Sequence, residues 1–354
     1  MTINAVDFFS GCGGTSLGLQ QAGITPVLGI DIDRDACLTY KHNLPDATVI
    51  CKDIRDIKVS DIACFIDTGK PLLFSGCAPC QPFSKQNKNK SSQDFRANLL
   101  NEFYRFVLHW LPEYILIENV PGMQKGAIHN EVFTGFVKNI ESLGYYPKFK
   151  ILPALNYGVP QSRRRLVLVA AKVDNYELPE PTHGDGLKPI SVVRDWIYNL
   201  PVLSNGATDP NDPDHQAAKL TPINLERIAL TPEGKGRECW PERLQLNCHK
   251  GYTGHTDVYG RMSWDKPASA LTTRCISYSN GRYGHPEQNR AISVREAACL
   301  QTFPRTYKFF GNKQSKAKQI GNAVPPLMSC AIAKSIVSHH DRMRDRKSNK
   351  RIYI

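Results

Sequence analysis

Ala5-Val6-Asp7-Phe8-Phe9-Ser10-Gly11-Cys12-Gly13-Gly14-Thr15-Ser16-Leu17-Gly18-Leu19 passes from β-forming residues through a glycine turn into a helical stretch that stops at Gly23. A strand, a glycine turn and a helix in that order open a βαβ unit with a nucleotide-sized pocket at the strand's end. A pyrophosphate cradle would require glycine where Ser16 stands, so an adenosine without phosphates suits this turn better than a dinucleotide. The next strand ends at Asp31, twenty residues after Gly11, where a carboxylate can accept hydrogen bonds from both ribose hydroxyls. Asp53 and Ile54, after a third strand, are expected at the adenine amino group and its apolar face.

From this opening to about residue 175, β-rich runs alternate with helical stretches: 5–9, 27–30, 48–51, 72–75, 114–117 and 166–170. That rhythm predicts an α/β fold around a mostly parallel sheet. From Pro181 to Tyr259 it dissolves into Pro, Gly, Asn and Asp, which predicts a smaller, mostly irregular domain. Periodicity returns at 294–301, and 326–337 reads as a closing helix. The expected division is 1–183 for the main domain, 184–310 for the small one, and 311–354 as a return segment completing the first.

Chemistry gathers at strand ends. The run Pro71-Leu72-Leu73-Phe74 leads to Pro79-Cys80-Gln81, a thiol on a proline-stiffened turn where ligands of an open sheet collect. Glu118 ends the strand expected beside it, and a buried carboxyl there could donate a hydrogen bond. Alternation predicts that Arg163 and Arg165 point the same way, where two guanidiniums could grip an oxygen. The polar stretch 85–98 reads as a long loop whose Lys85, Lys88, Lys90 and Arg96 could close over phosphates. Cys239, Cys248, His249 and His255 match no paired-ligand spacing, so no metal is expected.

The chain has 354 residues, and Lys plus Arg outnumber Asp plus Glu by 45 to 33, a surplus that favours a polyanionic partner. The basic residues between Arg342 and Arg351 read as a solvated, poorly ordered tail. No apolar run predicts a membrane span, the N-terminus has no signal-peptide blocks, and the 11 scattered cysteines read as reduced thiols. A monomer in the bacterial cytoplasm is the expectation.

In order from Asp7 to Pro326, the glycine turn, Pro79-Cys80-Gln81, Glu118-Asn119-Val120, Gln161 with Arg163 and Arg165, Arg295-Glu296-Ala297-Ala298, Leu300-Gln301-Thr302-Phe303-Pro304 and Gln319-Ile320-Gly321-Asn322-Ala323-Val324-Pro325-Pro326 make up a pattern. It resembles the DNA (cytosine-5-)-methyltransferase family of bacterial restriction-modification systems. The resemblance implies a Rossmann-like S-adenosylmethionine-dependent fold: a mixed seven-stranded sheet with one antiparallel strand at its edge, and a target-recognition domain in the variable middle. It implies S-adenosyl-L-methionine as methyl donor and S-adenosyl-L-homocysteine as product, with Phe9, Gly11, Gly13, Gly14, Asp31, Ile32, Asp53, Ile54, Pro79, Leu99, Asn322 and Val324 holding the cofactor. It further implies that Cys80 attacks carbon-6 of a flipped cytosine while Glu118, Arg163 and Arg165 activate the ring, and that Ser84, Lys85, Lys88, Arg96, Gln161, His249 and Arg261 contact double-stranded DNA. A restriction endonuclease would share the system without forming a stable complex.

Three positions depart from that family: Cys77 and Ala78 where Gly or Pro is common, Asp31 where glutamate is usual, and Ile32 where a larger side chain covers adenine, which leaves Phe9 for stacking. Rival readings are a tRNA cytosine-5 methyltransferase of the same fold, a redox protein using Cys77-Ala78-Pro79-Cys80, and a non-enzymatic DNA-binding module. A redox centre needs both thiols, whereas a methyltransferase needs Cys80 alone.

Overall fold

A computed structural model describes residues 2–78, 99–121, 127–173, 175–249 and 257–352; the side chains of 127–130, 249 and 347–352 lie outside the description. The first 171 residues alternate as the sequence predicts: β1 (Asn4–Phe8), α1 (Gly14–Gln21), β2 (Thr25–Asp31), α2 (Arg34–Asn43), β3 (Thr48–Cys51), β4 (Leu72–Gly76), α3 (Leu99–Trp110), β5 (Tyr114–Asn119), α4 (Ala127–Ser142), β6 (Tyr146–Pro153), the two-residue β7 (Gln161–Ser162) and β8 (Arg164–Ala171). Then follow α5 (Val193–Ile197), β9 (Thr208–Asp209), β10 (Asp212–Gln216), α6 (Pro222–Ala229), β11 (Ala268–Ser269), α7 (Val294–Leu300), α8 (Lys313–Asn322) and α9 (Pro326–Ile352).

Compactness divides the chain into two units: Met1–Pro153 with Arg164–Glu180 and Val324–Ile354, and Ala154–Arg163 with Pro181–Ala323. The first unit holds a seven-stranded sheet in the order β3-β2-β1-β4-β5-β8-β6. All its pairs are parallel except those of β8, which runs antiparallel to both neighbours. The antiparallel strand therefore lies one place in from the edge, not at the edge as expected. β6 occupies the edge and is the strand that pattern reading passed over. Its Tyr146-Pro147-Lys148-Phe149-Lys150 is mostly exposed and interrupted by proline and lysine, features that blunt an open edge and erase a strand's apolar signature.

β4 and β5 are buried along their whole length, as strands covered on both faces must be. Phe8 of β1 packs its ring 5.1 Å from Phe74, 5.2 Å from Phe103 and 4.9 Å from Phe106, so α3 lies on the central strands. On the α1 side, α9 approaches so closely that a Cβ at Gly18 would meet the Pro326 carbonyl oxygen and Ser329 Cβ, each at 2.5 Å. Ser329 Oγ donates to the Thr15 carbonyl at 2.9 Å across the same contact. Farther along α9, His339 Nδ1 meets Tyr114 Oη at 2.9 Å. The helix then continues to Ile352, so the basic segment read as a disordered tail is helical there. One described stretch, Lys313–Arg346, has the length and hydropathy of a membrane span, but 67% of its apolar window is buried inside the protein, as in a core helix.

Among its described residues the second unit has only two-residue to five-residue strands, β9 with β10 and β7 with β11, and one of its apolar clusters is Leu220, Ile228, Trp240, Leu244, Tyr278 and Ala291. With so few ladders, its backbone carbonyls need other partners.

Gly18→Ala is expected to lower the unfolding free energy by about 1–3 kcal/mol, because its Cβ would overlap backbone that cannot yield without parting α1 from α9. Urea denaturation measures it; a loss under about 0.5 kcal/mol would show that the helices separate freely.

Candidate active site

The carboxyl ends of β1, β2, β4 and β5 come to one edge of the first unit's sheet, and the candidate residues follow from where each strand stops. After β1, Phe9 takes φ 57°, Gly11 φ 53° and Gly13 φ 91°, a left-handed turn that glycine adopts without strain. Gly11 N–H donates to Asp31 Oδ2 at 2.8 Å and Asp33 N–H to Asp31 Oδ1 at 2.8 Å, so one carboxylate ties the glycine turn to the β2–α2 turn. Burial holds the Asp31 carboxyl above its usual range against the pull of these N–H groups. Each oxygen of Asp31 thus keeps a further lone pair for a ligand.

The turn has room for that ligand. A Cβ at Gly11 would meet nothing within 4 Å. Ser10 Oγ is buried with no hydrogen-bond partner among the described residues. The N-terminus of α1 at Gly13 carries neither a side-chain cap nor an acidic first-turn residue, and so offers N–H groups to an anion. Ser16 donates at 2.7 Å to Asp7 Oδ2, which explains its place where a dinucleotide fold has glycine. Phe9 is half-buried against the core, Ile32 is 67% exposed at the end of β2, Ile54 is buried, and Leu99 is half-buried at the start of α3. Asp53 caps the 3-10 turn Ile54–Asp56 and is held by Arg55, with contacts at 3.0 and 2.5 Å, which lower its carboxyl's pKa. Gly14 is buried in α1. Val324 is buried in the first unit, whereas Asn322, exposed at the end of α8, belongs to the second.

At the chemistry end, Asn119 Nδ2 donates to the Ala78 carbonyl at 3.1 Å, which anchors the approach to Pro79 onto β5. Cys77 is half-buried with its Sγ 3.5 Å from Thr15 Oγ1, and desolvation, then the nearby Glu118 charge, raises its thiol's pKa well above the ordinary value. Pro79, Cys80, Ser84, Lys85, Lys88, Lys90 and Arg96 lie outside the described residues, as does the His249 side chain. Glu118, the last residue but one of β5, lies opposite Val167, and Arg165 Nε stands 2.8 Å from its Oε1 with both side chains mostly buried.

Three expected site residues are otherwise engaged. Arg163 does not share a strand with Arg165: β8 begins at Arg164, so the alternation argument fails at that break. Arg163 is 2% exposed and donates to the carbonyls of Leu271 at 3.0 Å, Gly321 at 3.3 Å and Ala323 at 3.0 Å, all in its own unit. Gln161, expected at DNA, is fully buried, donating to Leu300 O at 2.7 Å and Gln301 Oε1 at 2.6 Å while accepting from Leu271 N–H at 3.1 Å. Arg261, also expected at DNA, is 4% exposed and donates to the carbonyls of Thr231, His285, Gln288 and Ile228 and to Asn289 Oδ1. The cause is common to the irregular unit: a guanidinium with five donors substitutes for missing ladder bonds. No group of three or more metal-ligating side chains occurs among the described residues.

Pattern reading passed over a buried cluster behind the turn. Asp7, fully buried, accepts from Ser75 Oγ at 2.5 Å and Ser16 Oγ at 2.7 Å, and Tyr40 Oη donates to Ser16 Oγ at 2.9 Å. Burial outweighs these hydrogen bonds and raises the Asp7 pKa to about 6. Only its position mid-strand, among apolar residues, marked it in the sequence.

The model of the family described as C-5 cytosine-specific DNA methylase matches residues 3–338. The chain is 40% identical over 97% of both sequences to the Type II methylase M.HgiDII of Herpetosiphon aurantiacus, and 34% identical to the Type II methyltransferase M1.HphI of Haemophilus parahaemolyticus over 95% of this chain and 87% of that one. A prophage-encoded chain from Escherichia coli described as a DNA modification methyltransferase superposes with a TM-score of 0.75 at 24% identity, covering 95% of this chain and 99% of that one, which is a likeness of fold.

Two outcomes are expected. Because its folded pKa is raised, Asp7 favours the native state most below its unfolded value of 3.8, and that contribution is lost as pH rises through about 6. The stability of wild type relative to Asp7→Asn should therefore fall by roughly 2 kcal/mol between pH 4 and pH 7 in urea titrations, and a constant difference would refute it. Arg261→Lys should cost about 3 kcal/mol or more, since one ammonium cannot serve five acceptors. A melting temperature within a degree of wild type would free Arg261 for another role.

Proposed function

Because the chain belongs to the C-5 cytosine-specific DNA methylase family, we propose that it transfers a methyl group from S-adenosyl-L-methionine to carbon-5 of a flipped cytosine in a specific duplex sequence, through a covalent adduct with Cys80. The observation that carries the site assignment is the Glu118–Arg165 pair at 2.8 Å, at the end of the strand beside the one that leads to Cys80. Carbon-5 of cytosine is a weak nucleophile until the ring is made electron-rich. The Cys80 thiolate adds to carbon-6 and Glu118 hydrogen-bonds ring nitrogen-3 and the amino group; Arg165 holds the Glu118 carboxyl in place. The cofactor supplies the electrophilic methyl group. Loss of the carbon-5 proton and departure of Cys80 restore the ring. Flipping the base costs a few kcal/mol, repaid by contacts in the pocket.

The residues fit that cofactor. Asp31 has lone pairs for ribose hydroxyls, the uncapped start of α1 suits a carboxylate, and Phe9 flanks the turn. The second unit is proposed as the target-recognition domain, its readout carried by exposed side chains and not by Gln161 or Arg261. A cognate endonuclease sharing the target sequence, without stable association, and work on the nucleoid of a bacterial cytoplasm complete the proposal. The family match and the Type II relatives favour DNA over tRNA. The raised pKa of the Cys77 thiol disfavours a Cys77–Cys80 redox couple.

Duplex DNA carrying 5-fluorocytosine tests the proposal, since fluorine replaces the proton that must leave. Wild type should give a denaturation-resistant complex, Cys80→Ser none, and Glu118→Gln one formed about a hundredfold more slowly. Trapping by Cys80→Ser, or by Glu118→Gln at the wild-type rate, would overturn the assigned roles.

A further inference from the structure

Two cysteines flank the carboxylate assigned to the ribose. Cys51 closes β3, is exposed, and is the register partner of Asp31 across the β2–β3 ladder. Cys37 lies in the first turn of α2, is buried, and donates its thiol to the Asp31 carbonyl at 3.5 Å. Cys37 N–H bonds the Asp33 carbonyl at 2.9 Å, and both cysteines adjoin Asp31, Cys51 across the ladder and Cys37 through its thiol. Asp33 in turn caps α2 and donates its own N–H to Asp31. Thiol pair, helix cap and carboxylate are thus linked through consecutive contacts.

We propose that Cys37 and Cys51 form an oxidisable dithiol that small disulfides such as oxidised glutathione close to a bridge, weakening cofactor binding at Asp31; this rests on the cofactor reading above. The exposed Cys51 gives up its proton and attacks the reagent's disulfide, whose S–S bond breaks and releases one thiol. Cys37 then loses its proton and attacks the Cys51 sulfur of the mixed disulfide, releasing the second thiol. Two protein thiols are oxidised by two electrons, and one reagent disulfide is reduced to two thiols. Bonded sulfurs lie about 2 Å apart, so closure turns the Cys37 sulfur from the Asp31 carbonyl to Cys51 and draws the start of α2 towards β3. That movement carries Asp33, and with it the N–H that orients Asp31.

The test incubates the full chain with oxidised glutathione, maps bridges by peptide mass spectrometry, and measures S-adenosyl-L-methionine affinity by calorimetry. Binding is the readout because Cys80 can also react with disulfides and would abolish methyl transfer by itself. The expected result is a Cys37–Cys51 peptide pair lighter by two hydrogens, with affinity reduced about fivefold or more. Dithiothreitol should reverse both, and Cys51→Ser treated alike should keep its affinity. Absence of the bridged pair, a bridge with unchanged affinity, or equal loss in Cys51→Ser would each overturn the proposal. Failure of the reduced wild type to bind the cofactor would instead sink the cofactor reading, while the bridge map stays readable.

Discussion

One buried carboxylate fixes the geometry on which the first unit's chemistry depends. Asp7 sits in β1 and accepts a hydroxyl from β4 on one side and from α1 on the other. β4 leads towards Cys80, and α1 carries the glycine turn, so the acid sets the strand of the proposed nucleophile against the turn of the proposed cofactor site. Such a group is costly unless every partner is present. Burial outweighs the two serines and raises its pKa.

Asp31 plays the matching part at the neighbouring strand end. Its two oxygens are each taken once by backbone N–H groups of different turns, so the carboxylate is oriented before any ligand arrives. Glu118 is instead held by an ion pair with Arg165, which reaches it across an antiparallel pair. Reversal of β8 is what makes this possible: an arginine at the start of an antiparallel strand lies beside the carboxyl end of β5.

The second unit solves a different problem. It has little sheet, and its buried arginines take over the work of ladders. Besides Arg163 and Arg261, Arg290 donates to both oxygens of Glu296 at 2.7 Å, and Arg295 reaches Asp212 at 2.6 Å and the Tyr307 carbonyl at 2.7 Å. A basic composition therefore overstates the charge available to DNA in this unit, since several of its guanidiniums are spent internally.

The sequence alone determined the alternating architecture, the glycine turn, Asp31 at a strand end and Glu118 at another, because these follow from local periodicity and turn chemistry that neighbouring residues decide. It also determined family membership, through motifs kept in order. Tertiary structure decided what no local rule contains: that β8 sits inside the sheet and β6 at its edge, that Gly18 is a point of helix contact, and that Arg163 is spent on carbonyls of its own unit. It decided too that Gln161, Arg163 and Arg261 are buried. A polar side chain looks the same in sequence whether it faces a ligand or a loop carbonyl. The outcome depends on which unsatisfied acceptors distant segments bring within its reach, and those are fixed only when the chain has folded.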